Sequence, residues 1–293
     1  MPDLESVTAL PSLPARPADG HKGTFGTVIV VAGSEAMIGA PALVATAALR
    51  TGTGLVRLAV PRAILPFCIT IEPSATGLPL GDDPAANHDI INTADPRQRA
   101  VVAAGPGLAE NDASEGLIHA LLADARPLVL DASGLNLLAR SHPKSAIPNP
   151  KSDIRTILTP HPGEFARLAE PLGITHSATD ADERPAAAAA LARALHAVVV
   201  LKGRHSVITD GQRVCTNHTG SAALATAGTG DVLTGIIASL LGQGMNPFDA
   251  AVLGAHLHGL AAEQWTAAHG QAGLRAADLA HAIPTAAETL PRA

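Results

Sequence analysis

Tyrosine is missing altogether, and one tryptophan and four phenylalanines leave aromatic residues at 2% of the 293-residue chain. Sugar-binding platforms and base-stacking surfaces for single-stranded nucleic acid rest on flat aromatic faces, so the composition argues against both. Two cysteines, Cys68 and Cys215, cannot build a disulfide framework or a cysteine-rich zinc site. No apolar run reaches the roughly 18 residues that a membrane-spanning helix needs. Basic residues are the minority, 20 Lys and Arg against 26 Asp and Glu, with a formal net charge of −6. A nucleic-acid-binding domain usually carries a basic patch, so nucleic acid is not an expected partner. The opening Met1-Pro2-Asp3-Leu4-Glu5 has neither the basic nor the apolar region of a secretory signal, and a cytoplasmic location is expected.

Small aliphatic residues fill the place of the aromatics: apolar residues make up 47% of the chain, with 27 glycines. Short β-branched runs alternate with helical stretches. Strands are expected over 27–32, 55–60, 99–104, 128–130, 154–158 and 197–201. A hairpin is expected from residues 205–209 and 212–216 about an Asp210-Gly211 turn. Helices are expected over 41–50, 231–241, 247–268 and 276–290. Near-continuous apolar strands separated by helices imply an α/β fold, a mostly parallel sheet with helices on both faces. Residues 142–153 and 174–185 read as surface loops and 1–20 as an irregular lead-in. No linker divides the chain, so residues 1–293 are expected to form a single domain. In such sheets ligands bind beyond the C-terminal strand ends, where almost every Gly/Pro cluster falls.

The segment Thr226-Ala227-Gly228-Thr229-Gly230-Asp231-Val232-Leu233 carries the most chemical information. Its glycines allow close backbone approach, and the N–H groups from Ala227 to Gly230, at a helix start, form an anion hole. Asp231 beside such a hole makes sense if it takes a proton from a phosphoryl acceptor. The competing reading is a glycine turn with Asp231 as a helix cap. No G-x-x-x-x-G-K-[ST] loop, complete dinucleotide fingerprint, G-x-S-x-G elbow or H-E-x-x-H is present. His256 and His258 stand two apart on one helix and do not share a face, so they read as helix-surface or interface residues and no protein-held metal is expected.

His21–Gly26, Val30–Ser34 with Met37–Ala40, Ala104–Leu108, Leu158–Phe165, Asn217–Gly220 and Gly228–Leu233, in this order from about residue 10 onward, together resemble the NAD(P)H-hydrate dehydratases of the ribokinase-like superfamily. Many family members carry an N-terminal epimerase domain; none is expected within this length. The resemblance implies repair of hydrated NADH or NADPH. The ring hydroxyl is phosphorylated, with Mg2+ and ADP as donor in bacterial members and ATP in eukaryotic ones. Phosphate is then eliminated, leaving AMP, phosphate and the restored cofactor.

It also implies residue roles. Asp231 matches the base, with Gly228 and Gly230 in the anion hole. Lys202, Gly203, Arg204, His205, Ser206 and Gly230 match the nucleotide-binding positions. Ala40, Gly107, His161 and Asp231 match positions that contact the hydrated dinucleotide. Plainer alternatives are helix packing for Ala40 and a solvated strand end for Lys202, and for nearby Glu164 a helix cap, whereas His161, held between two prolines after a strand, reads as more than structural. The chain departs from the common D-A-D-[AG]-L-N at Ser133 and from T-G-N-P-G-[LM]-A at Ser221, Ala222 and Ala223, and it has Ala227 for a common glycine. A homo-oligomer, such as a tetramer, is implied by the family and by alanine-rich C-terminal helices. A hydroxyl kinase that stops at phosphorylation and a silent nucleotide sensor remain the alternatives.

Overall fold

The computed structural model describes residues 4–141 and 154–293. The loop expected at 142–153 lies outside the described residues. The strands are β1 (Glu5–Ser6), β2 (Thr27–Val31), β3 (Leu55–Pro61), β4 (Thr76–Leu80), β5 (Val101–Ala104), β6 (Leu128–Leu130), β7 (Thr156–Leu158), β8 (Val198–Leu201), β9 (Val207–Thr209) and β10 (Arg213–Thr216). They form one sheet in the order β1-β10-β9-β8-β7-β6-β5-β2-β3-β4. Pairing is parallel from β4 across to β8, and β9 runs antiparallel to both β8 and β10.

Alternate strand residues face opposite layers, and both layers are apolar. Val28, Val30, Val101, Ala103, Val129, Ile157, Val198 and Val200 pack on the side covered by helices Gly39–Thr51, Thr229–Gly242, Pro247–His269 and Ala276–Ala287. Ile29, Val31, Val102, Ala104, Leu128, Leu130, Leu158 and Val199 face the other side, under helices Pro84–Ala94, Asp112–Ala123, Ser133–Arg140, Pro162–Ala169 and Arg184–Leu195. A strand buried on both faces has no polar period, so these segments read as unbroken apolar runs. Alanine and glycine let helices approach closely. A Cβ on Gly235 would stand 2.3 Å from the Val44 carbonyl oxygen, so helices Gly39–Thr51 and Thr229–Gly242 meet backbone to backbone.

The strand order reverses beside β2: the chain runs outward to β3 and β4, then returns to β5 on the other flank. Ligands favour the crevice outside such a reversal. The strand ends are stitched across this edge. The N–H groups of Gly105, Asp131, Thr159 and Lys202 donate to the carbonyls of Val31, Ala104, Leu130 and Pro160 at 2.8–3.1 Å. Residues from five strand ends, those of β2, β5, β6, β7 and β8, are thereby held side by side.

Of the expected irregular lead-in at 1–20, residues 1–3 lie outside the described residues and 4–20 are not wholly irregular. Glu5 and Ser6 pair in parallel with Arg213 and Val214, and Leu13 is buried, its N–H donating to the Pro291 carbonyl. The signal for this is tertiary, since two polar residues carry no strand pattern of their own.

Candidate active site

Helix Thr229–Gly242 opens at Gly228, whose φ of 87° is a left-handed value that favours glycine. A Cβ there would press on Leu43 and Ala276 at 2.8 and 3.0 Å. No side chain caps this helix start. The Thr229 hydroxyl turns back onto the carbonyls of Leu224 and Thr226, and the Thr229 N–H points to Thr226 at 3.4 Å, away from the expected anion hole. Gly230, by contrast, is helical and needs no left-handed backbone; what it provides is room. A Cβ on it would stand 3.6 Å from both Asp131 Oδ2 and Lys202 Nζ.

Asp231 lies in the first turn of that helix. Burial raises its carboxyl, Asp131 adds to the rise, Lys202 opposes it, and the result is a value of about 7. Asp131 is buried at the end of β6, with one oxygen 2.6 Å from Lys202 Nζ and the other accepting from Thr234 Oγ1 at 2.9 Å. The turn that presents it is strained: Ala132 has φ 50° and ψ −127°, values that suit glycine. Burial works to lower Lys202, but the carboxylates of Asp131 and Glu164 outweigh it and hold the ammonium charged. Lys202 is thus no solvated strand end.

Glu164 Oε2 lies 3.7 Å from Lys202 Nζ and also accepts from the His161 N–H at 2.8 Å. Burial pushes the Glu164 carboxyl up, against the pull of Lys202. His161 caps helix Pro162–Ala169: its Nδ1 accepts from the N–H groups of Gly163 and Glu164 at 3.0 and 3.3 Å. Glu164 therefore has the helix-start role that its cap reading anticipates, while the capping by His161 is a structural role the sequence reading did not expect. The His161 side chain nevertheless stays half exposed, with Nε2 3.3 Å from Glu164 Oε1.

Beside this cluster a cavity of about 730 Å³ takes in all of Lys202, Gly203, Arg204, His205, Ser206 and Gly230. Its far wall is Asn217–Ser221, held against helix Pro247–His269: Gly220 N–H donates to Glu263, Asn217 Nδ2 to the Ala255 carbonyl, and Ser221 pairs with Thr266. Gly259 makes this approach possible, because a Cβ there would lie 2.3 Å from Thr219 Oγ1. His258 also lines the cavity, its Nε2 donating to the Thr229 carbonyl at 2.9 Å. Burial depresses its imidazole to about 4, so the ring is neutral. Helical spacing alone pointed to a surface or interface residue; the packing of helix Pro247–His269 under the glycine turn makes it part of the pocket wall.

Ala40, Gly107, His161, Asp231 and Gly228 are not among the residues lining that cavity. Ala40 and Gly107 meet at the strand reversal. Gly107 has φ 66°, and a Cβ on it would stand 3.0 Å from the Ala40 Cβ. Helix Gly39–Thr51 has no side-chain cap at its start. The expected residues therefore fall into two groups along one sheet edge: Lys202–Ser206 and Gly230 at the cavity, with Asp231 near Lys202, and Ala40 with Gly107 at the strand reversal.

A family model described as NAD(P)H-hydrate dehydratase matches residues 28–285. The chain is 43% identical over 279 residues to a bifunctional NAD(P)H-hydrate repair enzyme of Moorella thermoacetica, covering 93% of this chain and 51% of that protein. It is 40% identical over 272 residues to an ADP-dependent (S)-NAD(P)H-hydrate dehydratase of Neisseria meningitidis, covering 92% and 87%. The fold matches the Bacillus subtilis ADP/ATP-dependent NAD(P)H-hydrate dehydratase co-crystallised with ATP and Mg2+. That match has a TM-score of 0.78 and 33% identity over 95% of this chain and 94% of that one.

Proposed function

The chain belongs to the NAD(P)H-hydrate dehydratase family, and from that membership we propose that it restores hydrated NADH or NADPH at the expense of ADP. The fold is ribokinase-like, as the sequence resemblance implied. One observation carries the reading. Asp231, raised to about 7, stands next to the Lys202–Asp131 ion pair at a helix start with no side-chain cap, beside the Lys202–Ser206 cavity.

The nucleotide occupies the cavity with its phosphates toward Gly230 and Lys202. A carboxyl with a value near neutral pH accepts a proton at little cost and returns it readily, which is what general-base work requires. Asp231 takes the hydroxyl proton as that oxygen bonds to the terminal phosphorus of ADP, and the bond to the AMP oxygen breaks. Phosphate then leaves with the electrons of the ring C–O bond, an adjacent ring proton is lost, and the double bond returns. Ala40, Gly107 and His161 hold the hydrated dinucleotide. The chain's part is positioning and charge stabilisation.

Magnesium belongs to this reading as an ion carried by the nucleotide. Among the described residues no group of three or more His, Cys, Asp or Glu is assembled to hold a metal. Asp131 is already shared between Lys202 and Thr234. In this reading Mg2+ would be held mainly by phosphate and water, where it would neutralise charge on the transferred group. We carry a homo-oligomer, such as a tetramer, over from the family alone, and a cytoplasmic location from the sequence reading alone. Many alanines of the C-terminal helices are buried within the subunit and do not supply that surface.

Incubation with hydrated NADPH, ADP and Mg2+ tests the proposal. Recovery of reduced-nicotinamide absorbance with equimolar AMP and phosphate supports it. A phosphorylated product without recovery would make the protein a hydroxyl kinase, and nucleotide binding without turnover a sensor.

A further inference from the structure

Arg184 opens helix Arg184–Leu195 and is 8% exposed. Buried arginines are normally paired with a carboxylate, since burying a lone charge is costly. This one is not. Its guanidinium donates to three backbone carbonyls, those of Ala178 at 2.7 Å, Leu201 at 2.9 Å and Lys202 at 3.4 Å. Among the described residues no carboxylate forms an ion pair with it, and its Nε has no hydrogen-bond partner. Burial lowers its pKa, with no neighbouring charge acting on it, yet a guanidinium stays protonated in proteins.

The Leu201 carbonyl ends β8 and the Lys202 carbonyl follows it, where the nucleotide segment begins. The next residue, Gly203, has φ 146°, and a Cβ on it would stand 3.2 Å from both Nη1 and Nη2. The guanidinium therefore lies against the floor of the Lys202–Ser206 turn. Through Ala178 it also ties that turn to the 174–183 loop. The sequence reading placed Arg184 in a surface loop over 174–185; it instead opens a helix and is buried, and nothing in the local sequence shows which carbonyls it will meet.

We propose that Arg184 is a positioning residue for the nucleotide: it fixes the Lys202–Gly203 turn and places an uncompensated positive charge beneath the nucleotide's phosphates. This rests on the assignment of the cavity to the nucleotide. A carboxylate partner would cancel the field; carbonyls satisfy the N–H groups and leave the charge in place. In a partly buried setting a full charge acts on a phosphate over several ångströms.

The test compares ADP, AMP and adenosine as titrants of the wild type, Arg184→Met and Arg184→Lys, with melting curves as the control for folding. For Arg184→Met, ADP affinity is expected to fall about tenfold or more, as a lost full charge near phosphate implies. Adenosine affinity should change far less, and Arg184→Lys should recover most of the ADP affinity. A residue that only held the loop together would lower ADP and adenosine alike, and lysine would not restore it; that outcome overturns the proposal. If Arg184→Met does not fold, Gly203→Ala carries the test. Its methyl group crowds the guanidinium, so ADP should weaken more than adenosine, and equal or absent effects overturn the proposal. Failure of wild-type protein to bind ADP at all would instead strike the nucleotide assignment itself.

Discussion

Lys202 Nζ lies 2.6 Å from Asp131 Oδ1, and this ion pair stands where it acts on Asp231 from both sides. Asp131 raises the Asp231 carboxyl and Lys202 lowers it, while burial dominates both. Burial thus makes most of the rise, and the pair adjusts it in opposite directions.

Asp231→Asn should fold normally, because the amide is nearly isosteric and no hydrogen bond from the Asp231 side chain caps the helix. It cannot accept the hydroxyl proton. Turnover should drop by about 10²–10⁴-fold, the usual worth of general-base assistance. ADP affinity should hold or rise, since one negative charge near phosphate is gone. Steady-state rates alongside nucleotide titrations decide the matter; near-normal turnover removes Asp231 from the mechanism.

With the Asp231 carboxyl at about 7, kcat/KM should climb as pH rises and level off above that value. The stability effect has the opposite sign. From about pH 4, the ordinary range for Asp, up to about 7, folded Asp231 keeps a proton that the unfolded chain has lost. Its contribution therefore favours the fold at low pH and fades as pH rises through that window. Asp231→Asn should flatten both profiles. Parallel Tm-versus-pH curves for wild type and variant would contradict this.

Gly230→Val should lose nucleotide affinity while the fold survives. Its Cβ meets Asp131 and Lys202 at ordinary contact distance, 3.6 Å, but the two methyl groups take up the space left for phosphate. The loss comes from filled space, since Gly230 needs no left-handed backbone. Unaltered ADP binding by calorimetry would place the phosphate elsewhere.

Ala132→Gly should stabilise the protein by about 1 kcal/mol, because glycine adopts φ 50°, ψ −127° without the side-chain clash that alanine bears. Turnover should stay the same if the turn's only duty is to hold Asp131. Denaturant unfolding of the pair measures the gain; a loss of stability would show that the turn carries no strain.

The sheet was legible because its strands are apolar on both faces, and the site because its glycines and charged residues follow strand ends. Boundaries moved little: the expected 99–104 strand begins at Val101, and the 231–241 helix at Thr229. Edge elements were harder to read. In β4, Gly77 and Pro79 interrupt the pattern, and β1 is two polar residues whose partner lies more than 200 positions away. His258 and Arg184 escaped for the same reason. What each does depends on which carbonyl it meets, and only packing decides that.

The residues around Asp231 are far apart along the chain. Lys202 is 71 positions from Asp131, and Thr234 is 103. Their meeting requires β6 and β8 to be seated in the parallel sheet and helix Thr229–Gly242 laid over it. Pairings of such long reach form slowly, because loop closure comes before any contact can reward it. After dilution from denaturant, helical signal should therefore return well before turnover. Regained activity would then mark the moment when the whole sheet has closed.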